Sequence, residues 1–571
     1  MTSPVRPLEP ATTADRESTP ADPIDPAGLP TRRRSRPRLS IRAANRRPGV
    51  PTAGPAAGGT RTARARTRTL VRLAGGAAAG VLQLLAFPPY HHWWLAPLAV
   101  AALLGSIHRV RVRTGTAVGL VAGIVFFVPL LSWMRPVGWD AWLALAGIEA
   151  VLTALLGAAL AAVSRLRAWP VWAVPVWIAY DALRARWPFG GFNWGRLGFA
   201  QDDGPWGRLA SLGGVTLVTA TVVAAGTAVA WLAISGALGR QRGLVGAAVA
   251  LALTVAAPLA VRLPTAGQSL GGRPTAVVAA IQGNVPADGM DAFARAYTVL
   301  DNHVRETSAL AASVAAGTLP QPDAVIWPEN AADVSPVDDP RAAALVEQAA
   351  LSAGAPLLVG TTITTLTTRE NAGLVWQAGT GPGPHYAKRH LVPFGEYVPL
   401  RSLLAGRISR FDRIPQDFTP GTGSGVLDVG PVRLSDVMCF EVAYDGLVRA
   451  GVRDGGRIIT VQSNNATYGA VQSEQQLSMA RLRAMEHGRA VVVATTDGIS
   501  AMIAPDGAIV RQSTMHEAVA FADSLPLRDS LTLSDRLGGW PEAIGGWTGL
   551  AAVLAAMMGA LRRRLARRRN G

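Results

Sequence analysis

The sequence predicts a polytopic α-helical membrane protein of about eight transmembrane helices that carries an extracytoplasmic α/β domain. Three observations lead there. Apolar stretches close to the roughly 20 residues needed to cross a bilayer recur between residues 70 and 261, and once more at 545–561. Hydrophobic residues make up 49% of the chain and charged ones only 16%, against about 25% charged in an ordinary soluble protein. Between residues 263 and 540 the pattern changes: charges return and apolar runs shorten to strand length.

Residues 1–68 hold fourteen Arg against five acids among Pro, Ala and Thr. Such a segment buries too little apolar surface to offset its ordering entropy, so it reads as a disordered basic tail. It lacks the order of a signal peptide. Residues 561–571 add six Arg and no acid, so the two ends carry nearly all of the net charge of +17. Basicity confined to the termini suits tails lying near anionic lipid better than a nucleic-acid-binding arm, and no nucleic-acid partner is expected.

The membrane domain, 69–262, contains candidate spans at 70–87, 93–107, 115–134, 141–163, 169–183, 209–235 and 243–261, the second and fifth being short. Glu149 lies inside the fourth, either as a functional group or as a protein-facing carboxylate with a partner. With eight helices, Arg109, Arg111 and Arg113, Arg165 and Arg167, Arg240 and Arg242, and both basic tails share one side. That side is the cytoplasm. Arg184, Arg186, Arg196 and Arg208 dissent from the opposite loop, RWPFGGFNWGRLGFAQDD (186–203) and its flanks. The chain is therefore expected in the plasma membrane, with both termini cytoplasmic and residues 263–538 on the outer face. A last helix at 539–562 and a basic tail at 563–571 close it.

Within 263–538, the stretches 275–284, 324–330, 356–362, 433–441 and 457–464 read as buried strands. Helical patterns at 291–317 and 476–491 lie between them, and this alternation argues for an α/β domain with helices covering sheet.

Two residues in this domain are singular. Lys388 is the only lysine among 55 cationic side chains, and Cys439 is the only cysteine. Lys and Arg differ where a compact point charge on a flexible stem is needed. A lone Cys excludes intrachain disulfides and multi-cysteine metal sites, and is most often a small buried hydrophobe. Cys439, however, follows an apolar run at a predicted strand end, and Glu329 ends another. A thiol attacks only as thiolate, which needs a base or a positive neighbour. Glu329, Lys388 and Cys439 are the right set for acyl transfer: carboxylate as proton acceptor, thiolate as nucleophile, ammonium for the oxyanion. The eight His show no HExxH or paired metal spacing, so neither metal nor cofactor is expected. GTGSG (421–425) reads as a loop rather than a phosphate cradle, and NAT (465–467) as turn chemistry.

WPEN (327–330), YAKRHLVPFGEYVPL (386–400) and MCFE (438–441), in that order, resemble the Glu, Lys and Cys motifs of the nitrilase superfamily. With eight spans around them, and with SNNATYG (463–469), residues 480–503 and GGFNWGRLGFAQ (190–201), the chain is similar over residues 70–562 to apolipoprotein N-acyltransferases of the actinobacterial kind. The resemblance implies a nitrilase-like four-layer α-β-β-α sandwich and a two-step reaction outside the membrane. Cys439 would take a fatty acyl chain from a phospholipid as a thioester, and an apolipoprotein's N-terminal S-diacylglyceryl cysteine would accept it on its α-amino group. Glu329 would be the general base and Lys388 the oxyanion stabiliser. Glu396 would be a further essential carboxylate, the Phe440 backbone N–H would complete the oxyanion site, and Glu441 would orient neighbours. Membrane lipids would surround a monomer. Trp187, Phe189, Phe192 and Trp194 would line a lipid-facing entrance or anchor the loop at the interface. Two departures stand out: ADGMDAF follows IQGNVP (281–286) where many relatives carry a Trp, and Phe440 stands where some carry Tyr. The rival readings are a membrane-tethered amidase using the same triad with water, and a non-catalytic membrane scaffold.

Overall fold

In a computed structural model of the chain, residues 57–264, 274–285, 296–404 and 416–569 are described. Most of the N-terminal tail and the ADGMDAF segment lie outside them. The apolar stretches form α1 (Ala57–Ala86), α2 (Leu95–Ile107), α3 (Val112–Leu130), α4 (Trp139–Val163), α5 (Trp169–Arg184), α6 (Ala210–Ala237), α7 (Gln241–Ala256) and a C-terminal helix (Trp540–Arg569). Six are long and apolar enough to cross a membrane. At about 1.5 Å per residue, α2 and α5 reach about 20 and 24 Å, short of the roughly 30 Å hydrocarbon thickness.

Small residues let these helices close on one another, since lipid supplies no hydrophobic drive for helix association. Gly115, Gly119 and Gly123 form a four-residue repeat on α3. A Cβ at each would lie 2.6 Å from Gly157 O, 2.5 Å from Thr153 O and 2.7 Å from Ala150 Cα of α4. The same device docks the C-terminal helix on α5, where a Cβ at Gly549 would meet Pro175 O at 2.1 Å. Two of the dissenting arginines prove to be interior residues. Arg184 is buried against Glu149 of α4 and donates to Trp194 O at 2.6 Å, and Arg196 is buried against Asp445 at 2.9 Å. Neither is a free loop charge, and Glu149 has its partner.

The α/β part stacks two six-stranded sheets. The first runs β12-β1-β2-β3-β4-β5 and the second β11-β10-β9-β8-β7-β6. In chain order the strands are β1 (Thr275–Gln282), β2 (Ala324–Ile326), β3 (Leu357–Thr364), β4 (Arg369–Gln377), β5 (Gly381–Ala387), β6 (Val426–Val429), β7 (Val432–Met438), β8 (Ile458–Ser463), β9 (Ala490–Thr495), β10 (Ala501–Ile503), β11 (Ile509–Gln512) and β12 (Val519–Pro526). Alternate residues explain the layers. Val278, Ala280, Ile326 and Leu358 meet Leu434, Met438, Ile458 and Val492 between the sheets. Their neighbours Ala279, Ile281, Val325 and Leu357 face α8 (Ala296–Ala315) and α9 (Pro340–Ala353). Asp339 caps α9 by accepting from Arg341 N and Ala342 N, and Gly354 ends it at φ +61°.

The outer face of the second sheet is covered by α10 (Asp445–Arg453) and α11 (Gly469–His487). Its Val437, Ile459, Val461 and Val493 belong to one continuous apolar cluster with α11 and the membrane helices. The helical pattern expected over 476–491 stops earlier, at His487. Gly488 turns the chain at φ +58°, and the valines beyond it form β9.

Candidate active site

Strand ends bring the singular residues together. Cys439 directly follows β7, Lys388 directly follows β5, and Glu329 lies three residues beyond β2. Lys388 Nζ donates to Glu329 Oε1 at 2.8 Å and to Glu396 Oε1 at 3.1 Å. The backbone fixes both carboxylates from the far side: Asn464 N donates to Glu329 Oε2 at 3.0 Å and Val392 N to Glu396 Oε2 at 2.7 Å. A second donor joins the ammonium. Asn371 Nδ2 lies 2.7 Å from Glu329 Oε1 and 2.7 Å from Glu396 Oε1.

Cys439 adopts φ +52°, the left-handed region that a non-glycine residue enters at a cost of about 1–3 kcal/mol. The turn after it, Cys439–Ala443, is held by Glu441. Glu441 Oε2 accepts from Met438 N at 2.8 Å, while Oε1 accepts from Arg389 N and His390 N, both at 2.8 Å. Tyr386 OH also donates to it, at 3.0 Å. One buried carboxylate thus ties the Cys439 turn to the Lys388 loop. The Phe440 ring lies beside the ammonium, its centroid 5.5 Å from Lys388 Nζ.

Burial pushes the Cys439 thiol up to about 12 and the Glu329 charge adds to the rise, against the opposing pull of Lys388 and Ser463. Burial pulls the Lys388 ammonium down, but Glu329 and Glu396 outweigh it and hold it well above its usual range. The site thus sets a thiol biased towards its protonated form beside a lysine held in its charged form. His390, behind this loop, is pushed down to about 4 by burial and by Lys388.

The four aromatics of the 187–194 loop divide. Trp187 and Phe189 are exposed, and Phe189 meets Phe394 edge-on at 6.0 Å. Phe192 stacks on Trp194 at 6.2 Å. Trp194 is buried and its Nε1 donates to Gln475 Oε1 of α11 at 2.6 Å, so it belongs to the interior seam and not to a lipid-facing rim. Asn371 and Tyr386 were not singled out in the sequence. The signal for Asn371 was its place on the inter-sheet face of β4, two residues before Gly373 and four before the core residue Val375. Among the described residues, His91, Asp202 and Asp203 bring one ligand atom each within 4.8 Å of one another, but Arg481 already pairs with both acids at 2.7 Å.

Comparison with known proteins decides the family. The profile of the apolipoprotein N-acyltransferase N-terminal domain matches residues 79–228, and that of carbon-nitrogen hydrolases matches residues 338–524. An apolipoprotein N-acyltransferase of Mycolicibacterium smegmatis is 35% identical over 96% of this chain and 97% of its own length. The chain belongs to the apolipoprotein N-acyltransferase family. The namesake from Azotobacter vinelandii is 32% identical over 86% of this chain and 95% of its own. Among solved structures, an amidase from Nesterenkonia sp. aligns over 48% of this chain and 96% of its own, at TM-score 0.35 and 18% identity. As an apolipoprotein N-acyltransferase family member, the chain is a membrane acyltransferase with a carbon-nitrogen-hydrolase catalytic domain.

Proposed function

We propose that this enzyme moves a fatty acyl chain from a phospholipid to the N-terminal amine of a diacylglyceryl-modified lipoprotein, through a thioester on Cys439. The observation that carries this reading is the pairing of Lys388 with Glu329 and Glu396 beside a buried thiol. Glu329 takes the thiol proton as sulfur attacks the ester carbonyl of the phospholipid. Lys388, held charged, stabilises the oxyanion, and the Phe440 backbone N–H at the start of the turn completes its cradle. Collapse of that intermediate expels lysophospholipid, which takes a proton from Glu329. The second half runs in reverse order. The acceptor attacks the thioester as its free amine, Glu329 takes a proton from that nitrogen and passes it to the departing sulfur, which leaves as thiol.

Glu396 shares the ammonium with Glu329 and keeps Lys388 directed at the reacting carbon. The catalytic face lies outside the cytoplasm and eight spans cross the bilayer, α2 and α5 with their ends extended by loops. Trp187 and Phe189, exposed on the loop beside the site, border the lipid entrance.

The intact mass of the purified full-length protein after exposure to phospholipid tests this. Wild type gains one acyl mass, Cys439→Ala gains none, and a diacylated lipopeptide discharges the adduct onto its amine. Lys388→Arg folds but forms no adduct, because a planar guanidinium does not fit between the two carboxylates and the Phe440 ring. Absence of an adduct in wild type, or near-normal adduct in Lys388→Arg, overturns the assignment. Discharge to free fatty acid alone favours the amidase-like hydrolase.

A further inference from the structure

A small polar island interrupts the apolar layer between the two sheets. β7 and β8 run side by side in parallel, with Asp436 paired to Thr460 and Met438 to Gln462. Alternation sends Asp436, Thr460 and Gln462 to the same face as Leu434, Met438 and Ile458, which meets the first sheet. All three polar residues are fully buried. Gly373 of β4 stands opposite, and a Cβ there would lie 2.5 Å from Gln462 Oε1 and 2.6 Å from Asp436 Oδ2. The two oxygens therefore converge on one spot, and the glycine leaves room for them.

Hydrogen bonding leaves both of these oxygens over. Asp436 Oδ1 accepts from Thr460 Oγ1 at 2.7 Å, while Oδ2 has no partner among the described residues. Gln462 Nε2 donates to Trp327 O at 2.6 Å, and Gln462 Oε1 has no partner either. Turning the amide over would set its oxygen against the Trp327 carbonyl, which cannot donate, so its orientation is fixed. Two buried acceptors aimed at one spot repel unless a hydrogen lies between them, and a buried acceptor without a donor is costly. A protonated carboxyl supplies that hydrogen, being a donor as well as an acceptor. Burial holds the Asp436 carboxyl well above the usual carboxylate range, and the charges of Glu441 and Glu329 add to the rise against the Thr460 hydrogen bond. The Tyr386 phenol of β5 also lies in its field and donates to Glu441.

We propose that Asp436 keeps a proton in the folded enzyme and donates it from Oδ2 to Gln462 Oε1, so that the two side chains form a neutral bridge that positions Glu329 against Cys439. The bridge reaches the supports of both reacting groups. Asp436 lies three residues before Cys439 on β7, and Trp327, whose carbonyl Gln462 holds, lies two residues before Glu329. Two residues beyond Gln462, Asn464 N donates to Glu329 Oε2 at 3.0 Å. An ionised Asp436 would add a buried negative charge near a site where one ammonium already serves two carboxylates, and would leave Gln462 Oε1 without a donor. Asp436 and Gln462 are thus positioning residues. Their effect on rate rests on the reading of Glu329 as the base for a Cys439 thioester; the shared proton does not.

Infrared spectra, thermal melts and single-turnover acylation of the full-length protein in detergent test this. At pH 8, wild type should show a carboxylic-acid C=O band that Asp436→Asn removes and that Gln462→Met shifts by taking away the acceptor. Melting gives an independent readout. A proton kept only in the folded chain stabilises fully below the ordinary 3.8 and progressively less as pH rises towards the folded value. The melting temperature of Asp436→Asn, measured against wild type, should therefore climb steadily between pH 4 and 8. Asp436→Leu should slow acyl-enzyme formation about tenfold, the loss expected for one buried acceptor left unpaired. Asp436→Asn, which keeps an N–H for Gln462 Oε1, should restore the rate to within about threefold of wild type. Absence of the band, or a melting difference that stays flat from pH 5 to 8, would overturn the shared proton. Equal rates in Asp436→Leu and wild type would overturn the positioning role. If wild type forms no acyl adduct, the thioester reading falls, and the band and the melts still decide whether the bridge exists.

Discussion

Asn371 and Lys388 donate to the same two carboxylate oxygens, so the repulsion between Glu329 and Glu396 is bridged by one charged and one neutral donor. Removing the neutral one leaves the ammonium alone to hold both acids. Asn371→Leu should therefore slow acyl-enzyme formation about ten- to a hundredfold, the effect of losing hydrogen bonds to charged groups worth about 1.5–3 kcal/mol. Single-turnover mass spectrometry checks this, and an unchanged rate would reduce Asn371 to packing. Cys439 offers a second test. With its thiol pushed up to about 12 by burial and by Glu329, alkylation by a neutral reagent should keep rising from pH 7 to 10. A plateau below pH 9 would mean the thiolate is preformed. Lys388 and Cys439 were legible because each is the only one of its kind and sits in a short motif. Asn371 was not, because a polar residue in a strand declares nothing until the facing sheet is known.

Among the elements, α8 is pinned to the end of β1 through His303. Its Nδ1–H donates to Val299 O at 2.7 Å, and Nε2 accepts from Gly283 N at 3.3 Å. Burial pushes this imidazole down to about 4, so it stays neutral in the folded chain while the unfolded chain takes up a proton near the usual 6.5. Stability is thus undiminished above pH 6.5 and falls as pH drops from 6.5 towards 4. Melting temperatures between pH 7 and 4.5 should fall less steeply for His303→Gln than for wild type, and parallel curves would rule the effect out. Strands that open on an apolar run, such as β3 and β8, were readable from their pattern. β5, with the sequence GPGPHYA, was not, since two prolines and two glycines look like a turn. It survives as a strand because it lies at a sheet edge, where missing N–H donors are tolerated.

At the scale of the whole molecule, the membrane and α/β parts share one seam, and α11 is its centre. Gln475 Oε1 accepts from both Trp133 Nε1 at 3.2 Å and Trp194 Nε1 at 2.6 Å, and Ser478 and Arg481 reach Asp202 at 3.0 and 2.7 Å. Gln475→Leu keeps the volume but strands two indole donors at about 1–3 kcal/mol each where they stay buried. The protein in detergent should melt several degrees lower, and an unchanged melting point would show that water replaces the amide. The seam was invisible in the sequence, because QSEQQLSMARLRAMEH carries the polar residues of a helix exposed on one face. Here most of those polar residues are buried, and Gln475, Ser478 and Arg481 have partners far away in the chain. One consequence reaches beyond stability. A protease that cut the chain ahead of β1 and after β12 would not release a working hydrolase. The released fragment would carry an α11 whose glutamine, serine and arginine had lost their partners, beside a bare apolar sheet cover. The catalytic domain is therefore tied to the membrane helices by construction of the fold.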